Sequence, residues 1–324
     1  MTAGADGRRR EWGRRAVHWL LTVAVTWILI ASVGAGLEEA LNFRLAVPDV
    51  SAPRLFVATL VFLLSLGTSA LLWGRLAGEL AGRDVPAIPA VRIVFAASLG
   101  RYLPGKLWQL AALGMLSGRV GVGRRIGAAA GIIAQVFALS AAAAIGAPAL
   151  FGRSGDATGE ALVLVGALAV VLVLLSIPGI RRRGLELACR RAEATPRHAL
   201  GGHSFALRYF GMYFLNWLLY CGSFVYFVQG LGFPTQDVLP LASAFAGSYL
   251  LGYAAFFAPA GIGVREGFLI AFLRPEVGVG AVGIAILTRL WMTVVELIPA
   301  GGLALWEIRR RESGQRQDPA GDGR

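Results

Sequence analysis

Ala254-Ala-Phe-Phe-Ala-Pro-Ala-Gly-Ile-Gly-Val-Arg-Glu-Gly267 sits inside an apolar region, yet its residues forbid a continuous helix. Pro259 has no amide donor, and Gly261 and Gly263 weaken helix on either side of Ile262. Arg265 and Glu266 follow at once. In lipid, broken backbone is tolerated only where protein buries it or where it lines a wet cavity. Charges at that depth face a partner or a pathway. A second break of this kind lies upstream, in Ser98-Leu-Gly-Arg-Tyr-Leu-Pro-Gly-Lys106. There Arg101 and Lys106 flank Pro104 and Gly105, and Pro104 and Pro259 are 155 positions apart.

The surrounding composition fits a chain organised by a membrane. Of 324 residues, 56% are hydrophobic and 15% charged, and the mean hydropathy is +0.64. Several apolar stretches reach the roughly 20 residues that a spanning helix needs. The net charge of +12 would suggest nucleic acid on a soluble protein. Here the arginines cluster in short loops between apolar stretches, so they read as topology signals and no nucleic-acid partner is expected. Cys189 and Cys221 lie in unlike settings and predict no disulfide. His18, His198 and His203 form no metal-ligand spacing, so neither metal nor cofactor is expected. No nucleophile elbow, Walker A loop or zincin motif occurs, and the chain is read as a non-enzyme.

In order, residues 1–16 form an arginine-bearing N-terminal tail, expected in the cytoplasm. The apolar run 17–36 is longer than a signal-peptide core and is read as a retained first span. Span two is 55–73. Two short apolar segments, 90–99 and 107–116, flank the first break, and Arg residues lie beyond both, which predicts a hairpin entering from the inside. Spans three, four and five are 126–150, 161–180 and 209–231. The loop 181–208 has seven Arg against two Glu and reads as cytoplasmic, with anionic lipid as its contact. Segments 239–257 and 264–273 flank the second break and predict a hairpin entering from the outside. The last span is 279–306, and residues 309–324 form a polar C-terminal tail expected to be cytoplasmic and disordered. The segments read as inner hold 25 of the 31 Lys and Arg, and the outer loops hold four.

The order span, span, hairpin, span therefore occurs twice, over residues 17–150 and 160–308 of one transmembrane domain. Equivalent starts differ by 154 (Leu55 and Tyr209), 155 (Pro104 and Pro259) and 153 (Ile126 and Val279). The first half starts inside and the second outside, which is the layout of an inverted-topology repeat. The expected fold is an all-α polytopic membrane protein with six full spans and two re-entrant helical hairpins. In such folds the ligand sits near the midplane beside the broken helices.

At both breaks the sequence resembles a known family. Leu99-Gly-Arg-Tyr-Leu-Pro-Gly-Lys-Leu-Trp108 is similar to the first signature of the lysylphosphatidylglycerol synthase transmembrane, or flippase-like, family. Pro259-Ala-Gly-Ile-Gly-Val-Arg-Glu-Gly267 resembles its second, and Leu287-Thr-Arg-Leu290 its last-span motif. The resemblance covers nearly the whole chain in order and spacing. It implies a multi-pass protein of the bacterial inner membrane whose domain moves lipid between leaflets. No cytoplasmic segment exceeds about 28 residues, so the soluble aminoacyl-transfer domain of bifunctional members is not expected. Members often carry an acidic–basic pair in the span after the first hairpin, where this chain has Gln135 and Val136.

The residues themselves leave alternatives open. Arg101 and Lys106 either hold a lipid phosphate, helped by the following helix N-terminus, or snorkel toward the cytoplasm. Arg265 either binds phosphate or pairs with an acid, and Glu266 favours a helix N-terminus through the dipole. Arg289 and Glu296 are seven apart, so each is expected to meet a hairpin residue, for instance Arg289 with Glu266. Gln135 is expected to hydrogen-bond a neighbouring helix. The leading expectation is a flippase or scramblase for an anionic phospholipid or polyprenyl-phosphate lipid. Its headgroup site would comprise Arg101, Pro104, Gly105, Lys106, Pro259, Gly261, Gly263, Arg265 and Glu266. A small-solute secondary transporter and a non-catalytic partner of a lipid-modifying enzyme are the alternatives. A homodimer is left open.

Overall fold

The computed structural model of the chain describes residues 49–102, 107–151, 159, 203–233, 237–255, 261 and 263–316. The expected spans 17–36 and 161–180, most of the 181–208 loop, and Pro104, Gly105, Lys106 and Pro259 lie outside the described residues. Eight α-helices and no strand occur among the described residues. They are α1 (Ala52–Ala81), α2 (Ala87–Ser98), α3 (Leu107–Ser117), α4 (Arg124–Phe151), α5 (His203–Gly230), α6 (Val238–Ala254), α7 (Val264–Val277) and α8 (Gly280–Arg316). Four of them, α1, α4, α5 and α8, contain stretches long and apolar enough to cross a membrane.

Local chemistry sets the ends. Pro53 lies in the first turn of α1, where its missing amide donor is harmless. Gly82 ends α1 in a left-handed conformation and donates its N–H to the Gly78 carbonyl. Pro86 then precedes α2. At 12 and 11 residues, α2 and α3 are each about 16–18 Å long, too short for a hydrocarbon core of about 30 Å. At 17 and 14 residues, α6 and α7 reach about 21–26 Å and also fall short. The last helix is longer than expected, continuing past Trp306 to Arg316 and taking in the start of the expected tail.

Contacts at the two ends of the bundle fix the direction of each element. At one end, Arg208 of α5 binds Glu79 of α1 at 2.6 Å, with Arg75 3.6 Å from the same carboxylate. There too, Arg83, just before α2, donates to the carbonyl of Gly121, just after α3, at 2.8 Å. The α2–α3 pair therefore leaves from and returns to this basic end. At the other end, Ser51 N–H donates to the Gly230 carbonyl at 2.8 Å, so α1 and α5 run antiparallel. There Phe233, before α6, packs on Gly280, after α7. The α6–α7 pair leaves from and returns to that opposite end.

The two groups of four helices also pack alike. α1 packs against α5; α2 packs on α3, as α6 packs on α7; α3 packs on α4, as α7 packs on α8; and α4 meets α6, as α8 meets α2. Exchanging α1–α4 with α5–α8 maps these pairings onto one another. Between α1, α5 and α8 the interior is aromatic. Trp291 stacks on Phe227 at 4.3 Å, lies 5.1 Å from Phe62, and donates its indole N–H to the Thr59 hydroxyl. In a bilayer such packing and hydrogen bonding hold helices together, because lipid tails are as apolar as the side chains.

Candidate functional site

Residues of both helix-pair tips, Arg101 of the first and Gly261 and Arg265 of the second, line one cavity of about 240 Å³. The first tip is a 3₁₀ turn, Leu99–Tyr102. It brings Arg101 into the cavity wall, where the guanidinium binds Glu296 of α8 (Nη1 to Oε1, 2.9 Å). The side chains are 30% and 10% exposed. Arg101 therefore points inward at a carboxylate, in place of the snorkelling alternative.

The second tip is built by glycine. Gly261 and Gly263 have φ of +71° and +82°, a region that L side chains rarely adopt. The returning chain then lies directly on α6. A Cβ on Gly252 would stand 2.7 Å from the Arg265 Cβ, and one on Gly261 would stand 3.0 Å from the Gly252 carbonyl oxygen. Glu266 accepts from the Gly263 N–H at 2.7 Å, capping α7 at its positive end. The other oxygen of that carboxylate lies 3.4 Å from Arg289. The expectation that Arg289 and Glu296 each meet a hairpin residue holds, and α8 joins both tips.

Arg265 differs from these paired charges. Its guanidinium lies over the rings of Phe245 (5.0 Å) and Tyr249 (5.1 Å), and Nη2 is 3.4 Å from the Met292 sulfur. Among the described residues no carboxylate lies within ion-pair distance of it. Rings and a thioether hold the cation in position without neutralising it. Arg101, Arg265 and Arg289 against Glu266 and Glu296 leave the described site one positive charge in excess. That excess favours an anion in the cavity.

Gln135 of α4 also lines the cavity. No hydrogen bond of its amide to another helix is present among the described residues, contrary to its expected role. The sequence reading also missed one wall. Tyr213, Asn216, Trp217 and Tyr220 of α5 face the cavity together, because positions i, i+3, i+4 and i+7 share one helical face. Tyr249 and Tyr253 of α6 join them. The signal was the amide Asn216 within an aromatic stripe of a spanning helix. Trp291, by contrast, packs between Phe227 and Phe62. No three His, Cys, Asp or Glu among the described residues gather into a metal-binding group.

The fold and cavity define a class: an all-helical protein, by its apolar helices membrane-embedded, in which two short helix pairs meet on one cavity lined by both polar and apolar side chains. No protein family, no curated protein and no solved structure matches the chain.

Proposed function

We propose that the chain is a flippase- or scramblase-type transporter that moves an anionic, phosphate-bearing lipid between leaflets through this cavity. The observation that carries the reading is Arg265, a guanidinium held by aromatic faces with no carboxylate among the described residues beside it. A phosphate headgroup supplies the missing counter-charge and can be gripped through two parallel N–H···O bonds. The cavity's volume suits a headgroup, with the acyl chains left in the bilayer. The antiparallel α1 and α5, together with helix pairs returning to opposite ends, support an inverted-topology repeat with two re-entrant hairpins. Residues 17–36 and 161–180 complete six spans on this reading. The basic end, with Arg75, Arg83 and Arg208, faces the cytoplasm, and a bacterial inner membrane is the proposed location. Arg101, Arg265 and Arg289 of the family-like motifs all line the cavity.

A second reading, a secondary transporter for a small soluble anion, is favoured by the cavity's modest volume. Proteoliposomes containing only this protein separate the two. Lipid transport requires leaflet exchange of a labelled anionic phospholipid, whereas solute transport requires counterflow of phosphate with no lipid exchange. Arg265→Ala should lower exchange by about 10- to 150-fold, the worth of a charge-assisted hydrogen bond of roughly 1.5–3 kcal/mol. Arg265→Lys should recover only part of it, because a point charge cannot grip phosphate bidentately. Normal exchange by folded Arg265→Ala protein would refute the assignment of the phosphate to this residue.

A further inference from the structure

One wall of the cavity carries polar groups that no atom of the described residues satisfies. Tyr213 is 2% exposed and Asn216 9% exposed. The Tyr213 hydroxyl and the Asn216 carbonyl oxygen are buried with no hydrogen-bond partner among the described residues. A buried polar atom without a partner is costly, so two on one cavity wall point to a ligand that completes them. Both side chains lie one turn apart on α5, beside Trp217 and Tyr220. Gln135 lines the same cavity.

The chemistry of that wall is specific. Phenol and amide groups donate and accept neutral hydrogen bonds, the indole N–H donates, and the aromatic rings offer flat apolar faces. Hydroxyl groups on a compact C–H framework match both features. An ammonium does not. The two carboxylates, Glu266 and Glu296, lie against Arg289 and Arg101, and the excess positive charge repels a second cation.

We propose that the site recognises a phosphate ester of a neutral, hydroxyl-rich group, a sugar or cyclic polyol, with phosphate toward Arg265 and hydroxyls toward Tyr213 and Asn216. This rests on the lipid-transport reading for its source, a lipid headgroup, but the same chemistry describes a soluble sugar phosphate. The aromatic wall discriminates by hydrogen bonding: a site built to bond hydroxyls rejects an analogue lacking them, because its own polar groups then stay unpaired.

The test uses the full chain purified in detergent. Thermal unfolding is titrated with glucose 1-phosphate, inorganic phosphate, phosphoethanolamine and glucose. Glucose 1-phosphate should bind about tenfold or more tightly than any of the other three. Tyr213→Phe keeps shape and ring packing and should remove about three- to tenfold of that advantage. Asn216→Ala should do likewise, and both variants should bind inorganic phosphate as the parent does. Equal binding of inorganic and sugar phosphate would overturn the inference and show that the wall holds ordered water only. Loss of no advantage in either variant, preferred binding of phosphoethanolamine, or binding of no probe would overturn it as well. In a separate arm, proteoliposomes exchange labelled phosphatidylinositol against labelled phosphatidic acid. Faster inositol-lipid exchange supports the lipid source. Exchange of neither lipid, with the soluble preference intact, refutes lipid transport and leaves the sugar-phosphate site standing. Equal exchange of both lipids keeps lipid transport and overturns the hydroxyl selectivity.

Discussion

Arg101 and Glu296 are 195 positions apart and meet at 2.9 Å between the first hairpin tip and the last helix. Removing one partner of a fully buried pair costs roughly 3–5 kcal/mol, mostly for stranding the other charge. Arg101 is 30% exposed, so water reduces the penalty here. Arg101→Ala should therefore lower thermal stability clearly, and Glu296→Gln in the same chain should restore much of it. A double-mutant cycle measured by thermal unfolding should give a coupling above about 1 kcal/mol, and additivity within about 0.5 kcal/mol would deny the pair. Arg101 thus has a structural duty that Arg265 lacks, which makes Arg265→Ala the cleaner probe of ligand binding. At this scale the sequence was informative about charges. Charged side chains in an apolar run need partners, so Arg289 with Glu266 could be anticipated. Neutral groups carry no such demand at the level of sequence. Tyr213 and Asn216 looked like ordinary members of an aromatic helix until α4, α6 and α8 closed a cavity around them.

The second helix pair depends on how closely α6 and α7 approach. Gly252 faces the Arg265 backbone, and an added Cβ would meet Cα at 3.2 Å as well as Cβ at 2.7 Å. Neither atom can swing away as a flexible side chain would. Gly252→Ala should force the two helices apart, lower stability by roughly 1–3 kcal/mol, and shift Arg265 off its two rings. Gly67→Ala is the matching control. Nothing lies within 4 Å of its added Cβ, so the helix-propensity gain of roughly 0.5–1 kcal/mol should appear alone. Thermal unfolding of both variants checks this, and a Gly252→Ala protein as stable as the parent would deny the close approach. The existence of the breaks was legible because proline and glycine act locally. Their closure on α6 was not, because a contact across the turn depends on positive φ at Gly261 and Gly263, which composition suggests but does not aim. The end of α8 was misjudged for a related reason. The Arg309–Arg311 run marks where a membrane stops, but a helix can continue into water, and this one continues to Arg316.

At the scale of the whole molecule, the arrangement makes a prediction about sidedness that neither hairpin makes alone. Asp84 lies between α1 and α2 at the basic end, and Val279 lies between α7 and α8 at the other. Both are exposed, Val279 by 98%. Two features of the chain argue that these ends face opposite sides. Arginine-rich segments are retained in the cytoplasm, and Arg75, Arg83 and Arg208 gather at the first end. The antiparallel α1 and α5 then carry the chain to the far end, where Ser51 meets Gly230. Single cysteines placed at Asp84 and Val279, in a background carrying Cys189→Ser and Cys221→Ala, report this directly. A membrane-impermeant maleimide should label the Val279→Cys protein in intact spheroplasts, and the Asp84→Cys protein only after permeabilisation. Labelling of both from one side would contradict the inverted arrangement, since α6–α7 and α2–α3 would then open to the same compartment. The sequence makes an orientation prediction because charge bias acts at loops, one segment at a time. The cavity was not legible there, because it exists only where two helix pairs that return to opposite ends of the bundle meet. If the sidedness holds, each compartment reaches the cavity past a different hairpin. Locking one hairpin to its neighbouring helix should then block exchange whichever leaflet is labelled first.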